Sequence, residues 1–276
     1  MYKISQTSIE NLFSIAYNLA EQLTNAPQFV ISSGSGFSDI WNNFNVLQII
    51  PYSEIKGMPQ INLEGHKNEL YLIEYNNKIG LVFAGRFHLY DGFSLEEILI
   101  PVIIPELFGV KHYIFFNAAG ALNTNFKVGD IMIIDEAVNF TSRKIHPLFN
   151  KELFFKKNFA SDLFSKKWIN NVEKKLVENS ITYQKGTYIE VTGPTYETRA
   201  EVKMFRYFGG DAMGMSTVLE SMAASLLNSE VLGISIISNK LTEVKQAELS
   251  HDYVVKAIAA QKDKIETTIK CSIESI

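Results

Sequence analysis

The residues able to do chemistry lie in a few short runs. Gly85-Arg86-Phe87-His88-Leu89-Tyr90-Asp91-Gly92 alternates polar and apolar side chains between two glycines. If this run is extended, a period of two puts Arg86, His88 and Tyr90 on one face and Phe87 and Leu89 on the other. A guanidinium, an imidazole and a phenol converging in this way suit an oxyanion beside a sugar, although a solvated edge strand would carry the same pattern. Ala212-Met213-Gly214-Met215-Ser216-Thr217 lets the backbone come close to a ligand and covers its apolar face with soft thioethers. Thr217 opens an apolar, helix-favouring stretch to Leu227, and hydroxyls with free N–H groups at a helix start make an anion site. An ordinary Ser or Thr N-cap is the plainer alternative.

Gly193-Pro194-Thr195-Tyr196-Glu197-Thr198 and Ser238-Asn239-Lys240 belong with these runs. A short strand at Phe29-Val30-Ile31 ends in Ser32-Ser33-Gly34-Ser35-Gly36, small and hydroxylic, at a strand's carboxyl end where α/β proteins hold ligands. Its glycines give a GxG start, but Asp39 stands where a dinucleotide fingerprint needs a third glycine and no Walker lysine follows. Nicotinamide and ATP sites are therefore not expected. A second small-residue run, Asn117-Ala118-Ala119-Gly120-Ala121, follows a strand at His112 to Phe116. It could turn backbone N–H groups toward an anion or serve only as a tight turn.

These runs need a scaffold, and the composition supplies one. Over 276 residues, 46% hydrophobic and 20% charged content is globular, and a chain of this length buries roughly 75% of its unfolded surface. One domain over 1–276 is expected, with no linker or repeat to divide it. A net charge of −4 argues against nucleic acid or a membrane surface as partner. The single cysteine, Cys271, allows neither an internal disulfide nor a multi-thiolate metal site and fits a reducing compartment. Met1 to Gln6 has no apolar signal core, and the Ile98 to Ile104 run is too short to span a bilayer and holds Pro101, so a soluble, cytoplasmic protein is expected.

Periodicity then places the elements. Thr7 and Glu10 match a capping box, and Leu12, Phe13, Ala16, Leu19, Ala20 and Leu23 continue a helix to about Leu23. Leu70 to Tyr75 and Lys78 to Ala84 form strands around Asn76-Asn77. Leu95 to Phe108 reads as helix with a kink or break at Pro101 and Pro105. Strands follow near Gly129 to Ile134, Gly186 to Thr192 and Val231 to Ile237, with helices from about Lys166 to Val177 and from about Ser250. Phe140 to Asp162 reads as irregular, its Phe149, Phe154, Phe155 and Phe159 suiting a lid, an oligomer contact or the core. Alternating strands and helices predict a three-layer α/β/α domain around a mixed, largely parallel sheet with the site at one sheet edge.

Taken in order, Gly34-Ser35-Gly36, Gly65-His66, the Gly85 to Gly92 run, Asn117-Ala118-Ala119-Gly120, Gly193 to Thr198, Gly214-Met215-Ser216-Thr217 and Asn239-Lys240 resemble the trimeric purine nucleoside phosphorylases, a family that includes methylthioadenosine phosphorylase. The resemblance spans about residues 30–255. It implies phosphorolysis of 6-oxopurine nucleosides such as inosine and guanosine, without metal or organic cofactor and with inorganic phosphate as co-substrate. It also implies phosphate contacts from Ser35, Arg86, His88, Ala118 and Ser216, and ribose contacts from Tyr90, Met215 and His251. The purine would lie by Tyr196, Glu197, Met215 and Asn239, with His88, Glu197 and Asn239 as the catalytic side chains. A homotrimer is implied, with Phe154, Phe155 or Phe159 crossing to a neighbour. Ala121, Asp91 and Tyr196 stand where the family often has glycine, glutamate and phenylalanine, and the Asn239 to His251 interval is slightly short.

By residue type, Glu197 can accept from a ring N–H and the Asn239 amide can donate to a ring nitrogen and a 6-oxo group. Methylthioadenosine phosphorylase is the alternative enzyme, but its members carry aspartate at the position of Asn239. A non-catalytic nucleoside-binding protein and a nucleoside hydrolase are further alternatives. The presence together of Arg86, His88, Ser35, Ser216, Glu197 and Asn239 weighs against the first, and the second needs no phosphate cradle.

Overall fold

The computed structural model describes residues 6–34, 36–37, 40–61, 67–145, 163–241 and 250–276. Helix α1 (Gln6–Gln22) and strand β1 (Phe29–Ser33) fall where the apolar spacing puts them. Strand β2 (Asn45–Pro51) was not expected, because its apolar residues occupy both faces and Leu47 and Ile49 are exposed. Strands β3 (Glu69–Tyr75) and β4 (Lys78–Ala84) form the anticipated hairpin. Asn76 and Asn77 take φ of 52° and 57°, the left-handed pair that a two-residue hairpin loop needs and asparagine tolerates.

The Leu95 to Phe108 stretch breaks at Leu99 into α2 (Leu95–Ile98) and α3 (Ile100–Leu107). Pro101 sits in the first turn of α3, where its missing N–H has no helical partner to lose. Strands β5 (His112–Ala121) and β6 (Ile131–Asn139), helix α4 (Lys166–Glu178) and strand β7 (Tyr183–Glu190) follow. Asn117 to Ala121 is thus the end of a strand and not a loop. Helix α5 (Arg199–Tyr207) opens with a Thr198–Glu201 capping box that the sequence reading passed over. The Ala212-Met213-Gly214 run is a short strand, β8 (Ala212–Gly214), leading into α6 (Val218–Leu226). Strand β9 (Glu230–Lys240) carries Ser238-Asn239-Lys240 as its last residues, and α7 (His251–Ala259) and α8 (Lys262–Glu274) close the chain.

The strands make one nine-stranded mixed sheet in the order β2-β3-β4-β1-β5-β8-β7-β6-β9. Pairings β1–β4, β1–β5, β5–β9, β6–β7 and β7–β8 are parallel. Pairings β2–β3, β3–β4, β5–β8 and β6–β9 are antiparallel. Because β5 pairs with both β8 and β9, that half of the sheet closes into a ring. Helices α1, α3 and α6 pack in succession, and α4 packs on α8. This is the expected α/β class.

One consequence of the parallel set decides where chemistry can occur. Strands β1, β4, β5 and β9 run in the same direction, so their carboxyl ends meet at one edge, the usual place for ligands in such sheets. At that edge the β5–β9 register shifts, Ala119 facing Ile237 while Gly120 faces Asn239. Ser238 is the extra residue, and such a bulge re-aims the side chains beside it. Among the described residues no helix is long and apolar enough to cross a membrane.

Candidate active site

A cavity of about 370 Å³ opens at this edge. The segment after β4 supplies Arg86, His88 and Tyr90, β5 supplies Asn117, Ala118 and Gly120, and β8 with its following turn supplies Gly214, Met215 and Ser216. The stretch after β7 adds Tyr196 and Glu197, β9 adds Ser238 and Asn239, and the start of α7 adds His251. The sequence-expected Arg86, His88, Tyr90, Ala118, Tyr196, Glu197, Met215, Ser216, Asn239 and His251 therefore share one cavity. Ser35, His66, Phe149, Phe154, Phe155 and Phe159 lie outside the described residues.

Arg86, His88 and Tyr90 converge, but not by strand alternation. His88 has extended backbone, and Leu89–Asp91 is a 3-10 turn closed by Gly92 at φ 86°. Phe87 is buried in the core and packs on Phe93 and Tyr52. The His88 ring stacks on Tyr90 with centroids 4.8 Å apart, and its Nδ1 faces Asp91 Oδ2 at 3.6 Å. Burial lowers the His88 pKa below its ordinary value, with Asp91 opposing, so the imidazole is neutral at physiological pH.

Arg86 is 1% exposed and held by several partners. Its Nε lies 3.1 Å from Glu220 Oε2, itself 1% exposed. Nη2 donates to Ser32 O at 2.9 Å, and Nη1 donates to Phe116 O at 2.9 Å and Ser216 Oγ at 3.1 Å. Ser32 Oγ donates to Glu220 Oε1 at 3.0 Å. Two buried charges thus have nearly every lone pair and proton matched, the condition under which such a pair is tolerable. Glu220 and Ser32 were missed in the sequence. The Thr217-Val218-Leu219-Glu220 spacing of a capping box was a visible signal for the first.

That same glutamate corrects the expected anion site at the start of α6. Thr217 N–H donates to Glu220 Oε2 at 3.1 Å, and Leu219 N–H donates to Glu190 Oε2 at 2.9 Å. The helix start is already capped by the carboxyl groups of Glu220 and Glu190. What faces the cavity is the turn before it, with Ser216. Thr217 takes φ 91°, a strained conformation for a β-branched residue, and its hydroxyl accepts from Asn117 Nδ2 at 2.9 Å.

Glycines let these parts come together. A Cβ on Gly214 would lie 2.4 Å from the Tyr188 hydroxyl and 3.3 Å from Ala118 O, and one on Gly193 would lie 2.4 Å from Met215 Sδ. Ser238 Oγ donates to Asn239 Oδ1 at 2.8 Å, which turns the amide Nδ2 away from Ser238. Burial raises the Glu197 pKa above its ordinary value, and Tyr196 shifts upward for the same reason. The cavity lining therefore combines basic and hydroxyl groups with an amide and a carboxyl group. Among the described residues no group of three His, Cys, Asp or Glu side chains is placed to hold a metal ion. Replacing Glu220 by glutamine should leave Arg86 buried without its counter-charge and lower stability by about 3–5 kcal/mol. Urea unfolding that shows a loss below about 1 kcal/mol, the scale of an exposed pair, would mean the ion pair does not hold this region.

A family model described as the phosphorylase superfamily matches residues 29–273. The chain is 33% identical over 276 residues to purine nucleoside phosphorylase 1 of Geobacillus stearothermophilus, covering 99% of both. It is 37% identical over 242 residues to purine nucleoside phosphorylase 1 of Bacillus subtilis (strain 168), covering 86% of this chain and 88% of that one. The crystal structure of Schistosoma mansoni purine nucleoside phosphorylase in complex with adenosine superposes with a TM-score of 0.83 at 26% identity, over 96% of this chain and 97% of that one. A cavity lined by six of the seven ordered runs, a fold shared across nearly the whole length and relatives of this identity place the chain in the phosphorylase superfamily, among the purine nucleoside phosphorylases.

Proposed function

We propose that this chain is an enzyme that cleaves purine nucleosides with inorganic phosphate, giving the free base and ribose 1-phosphate, and that 6-oxopurine nucleosides such as inosine and guanosine are its substrates. The observation that carries this reading is that one cavity is lined by Arg86, His88 and Ser216 together with Glu197 and Asn239. Phosphate contacts come from Arg86 Nη1, neutral His88, the Ala118 backbone and Ser216, with Ser35 from the adjoining loop. Tyr90, Met215 and His251 contact the ribose. Tyr196 and Met215 cover the purine.

Phosphate oxygen forms a bond to the anomeric carbon as the glycosidic bond breaks and its electron pair moves onto the purine. Rate enhancement then rests on positioning an anion beside a cationic sugar and stabilising negative charge on the leaving base. Glu197 accepts the ring N–H, and Asn239 Nδ2, aimed by Ser238, donates toward the ring nitrogen and the 6-oxygen as charge builds there. In this reading no metal or organic cofactor takes part. The expected site of action is the cytoplasm.

The assembly is read as a homotrimer. Exposed Phe140, Tyr207 and Phe208 offer apolar surface for it, and Phe154, Phe155 or Phe159 would be the aromatic donated across the interface. Sedimentation equilibrium should give a trimer, and a fully active monomer would contradict it.

Purified enzyme should release hypoxanthine from inosine only when phosphate is supplied, with ribose 1-phosphate as the second product. Equal turnover in phosphate-free buffer would make the protein a hydrolase. Asn239→Asp replaces a donor by an acceptor, so it should lower kcat/KM for inosine by roughly 10²-fold and raise adenosine turnover in part, since Glu197 still favours a base with a ring N–H. An unchanged adenosine-to-inosine ratio would show that Asn239 does not read the base.

A further inference from the structure

Glu190 is a buried carboxyl group, 2% exposed, that the chemistry above does not use. It ends β7 and faces Gly214 of β8 in register. Val191 N–H donates to Gly214 O at 2.9 Å, and Phe140 N–H donates to Glu190 O at 2.8 Å, so the backbone here is fixed on both sides. The Glu190 side chain reaches past the turn and accepts the Leu219 N–H at 2.9 Å. The chain from Gly214 to Leu219, which carries Met215, Ser216 and the strained Thr217, is held at both ends by this one strand terminus.

Resting on the phosphorolytic reading, we infer that Glu190 is a positioning residue for the phosphate end of the cavity. Its carboxyl group clamps the start of α6 and so holds the Ser216–Thr217 turn against Arg86. The turn needs such a clamp, because a β-branched residue at φ 91° relaxes when its surroundings allow it.

The groups that face the Glu190 carboxyl are the Val218 and Leu219 N–H groups and Glu220 of α6, Arg86 after β4, and Tyr188 on its own strand. Burial pushes its pKa up to about 8, with Glu220 adding to the rise and the helix N–H groups and Arg86 opposing it. Below that pH the carboxyl is neutral and Arg86 balances Glu220. Above it, a second negative charge appears in the same buried cluster, and a phosphate dianion is bound less well. Tyr188 stays protonated throughout, its own pKa raised by burial.

The test is steady-state kinetics with phosphate and inosine varied separately, on wild type, Glu190→Gln and Glu190→Ala. Glu190→Ala should raise the KM for phosphate by about tenfold, the worth of one buried hydrogen bond. It should raise the KM for inosine less, since Met215 is the one nucleoside contact on the clamped turn, and Glu190→Gln, which keeps an oxygen acceptor, should restore most of the phosphate binding. Wild-type KM, expressed for the phosphate dianion, should also rise from about pH 7.5 to about pH 9.5 as Glu190 ionises, and the rise should be absent in Glu190→Gln. If Glu190→Ala does not fold, the two pH profiles decide. A phosphate KM that moves no more than the inosine KM in the alanine variant, or identical pH profiles for wild type and Glu190→Gln, would overturn the inference. Phosphate-dependent inosine cleavage by the wild type would still stand, so the two readings fail separately.

Discussion

The ion pair between Arg86 and Glu220 is the contact on which the cavity wall around Ser216 depends. Two fully buried charges are expensive to desolvate, and their attraction offsets that cost only when the remaining protons and lone pairs are also matched. Here Ser32, Phe116, Ser216 and Thr217 do the matching, drawn from β1, β5 and the turn before α6. One guanidinium therefore ties together the strands whose carboxyl ends form the cavity. It also keeps a positive charge beside the Ser216 hydroxyl, where an anion can reach both.

The same economy explains why the helix start itself is closed to ligand. An α-helix leaves its first N–H groups unpaired, and a phosphate could take them. In this chain Glu220 and Glu190 take them instead. The oriented backbone holds the turn, and in the proposed reading anion recognition falls to side chains on that turn and on the segment after β4. A rigid turn with a few exposed donors loses little conformational freedom on binding.

Much of this was legible in the residues. The helix at the N-terminus, the Asn76-Asn77 hairpin and the strand after Lys111 follow from spacing and turn chemistry that act locally. The cavity side chains were legible too, Arg86 and His88 because they alternate with apolar residues between Gly85 and Gly92, and Glu197 and Asn239 through the resemblance to the family. What could not be read was set by tertiary contact. Strand β2 has no clean alternation because it lies at the sheet edge. Leu89 to Asp91 turns because Phe87 is drawn into the core, and Ser238 becomes a bulge only through its register against β5. Ser32 and Glu190 look like ordinary strand-end residues until β1, β7 and α6 are brought together.

On the proposed reading, the phosphate site consists of Arg86, held in place by Glu220, together with Ser216 and His88. A crystal structure of the enzyme with phosphate and a purine base bound tests this. The anion should lie within hydrogen-bond distance of Arg86 Nη1 and Ser216 Oγ, with the Arg86–Glu220 contact kept and the base between Glu197 and Asn239. An anion bound at the N–H groups of Val218 and Leu219 with Glu190 displaced, or one that Arg86 does not touch, would contradict it.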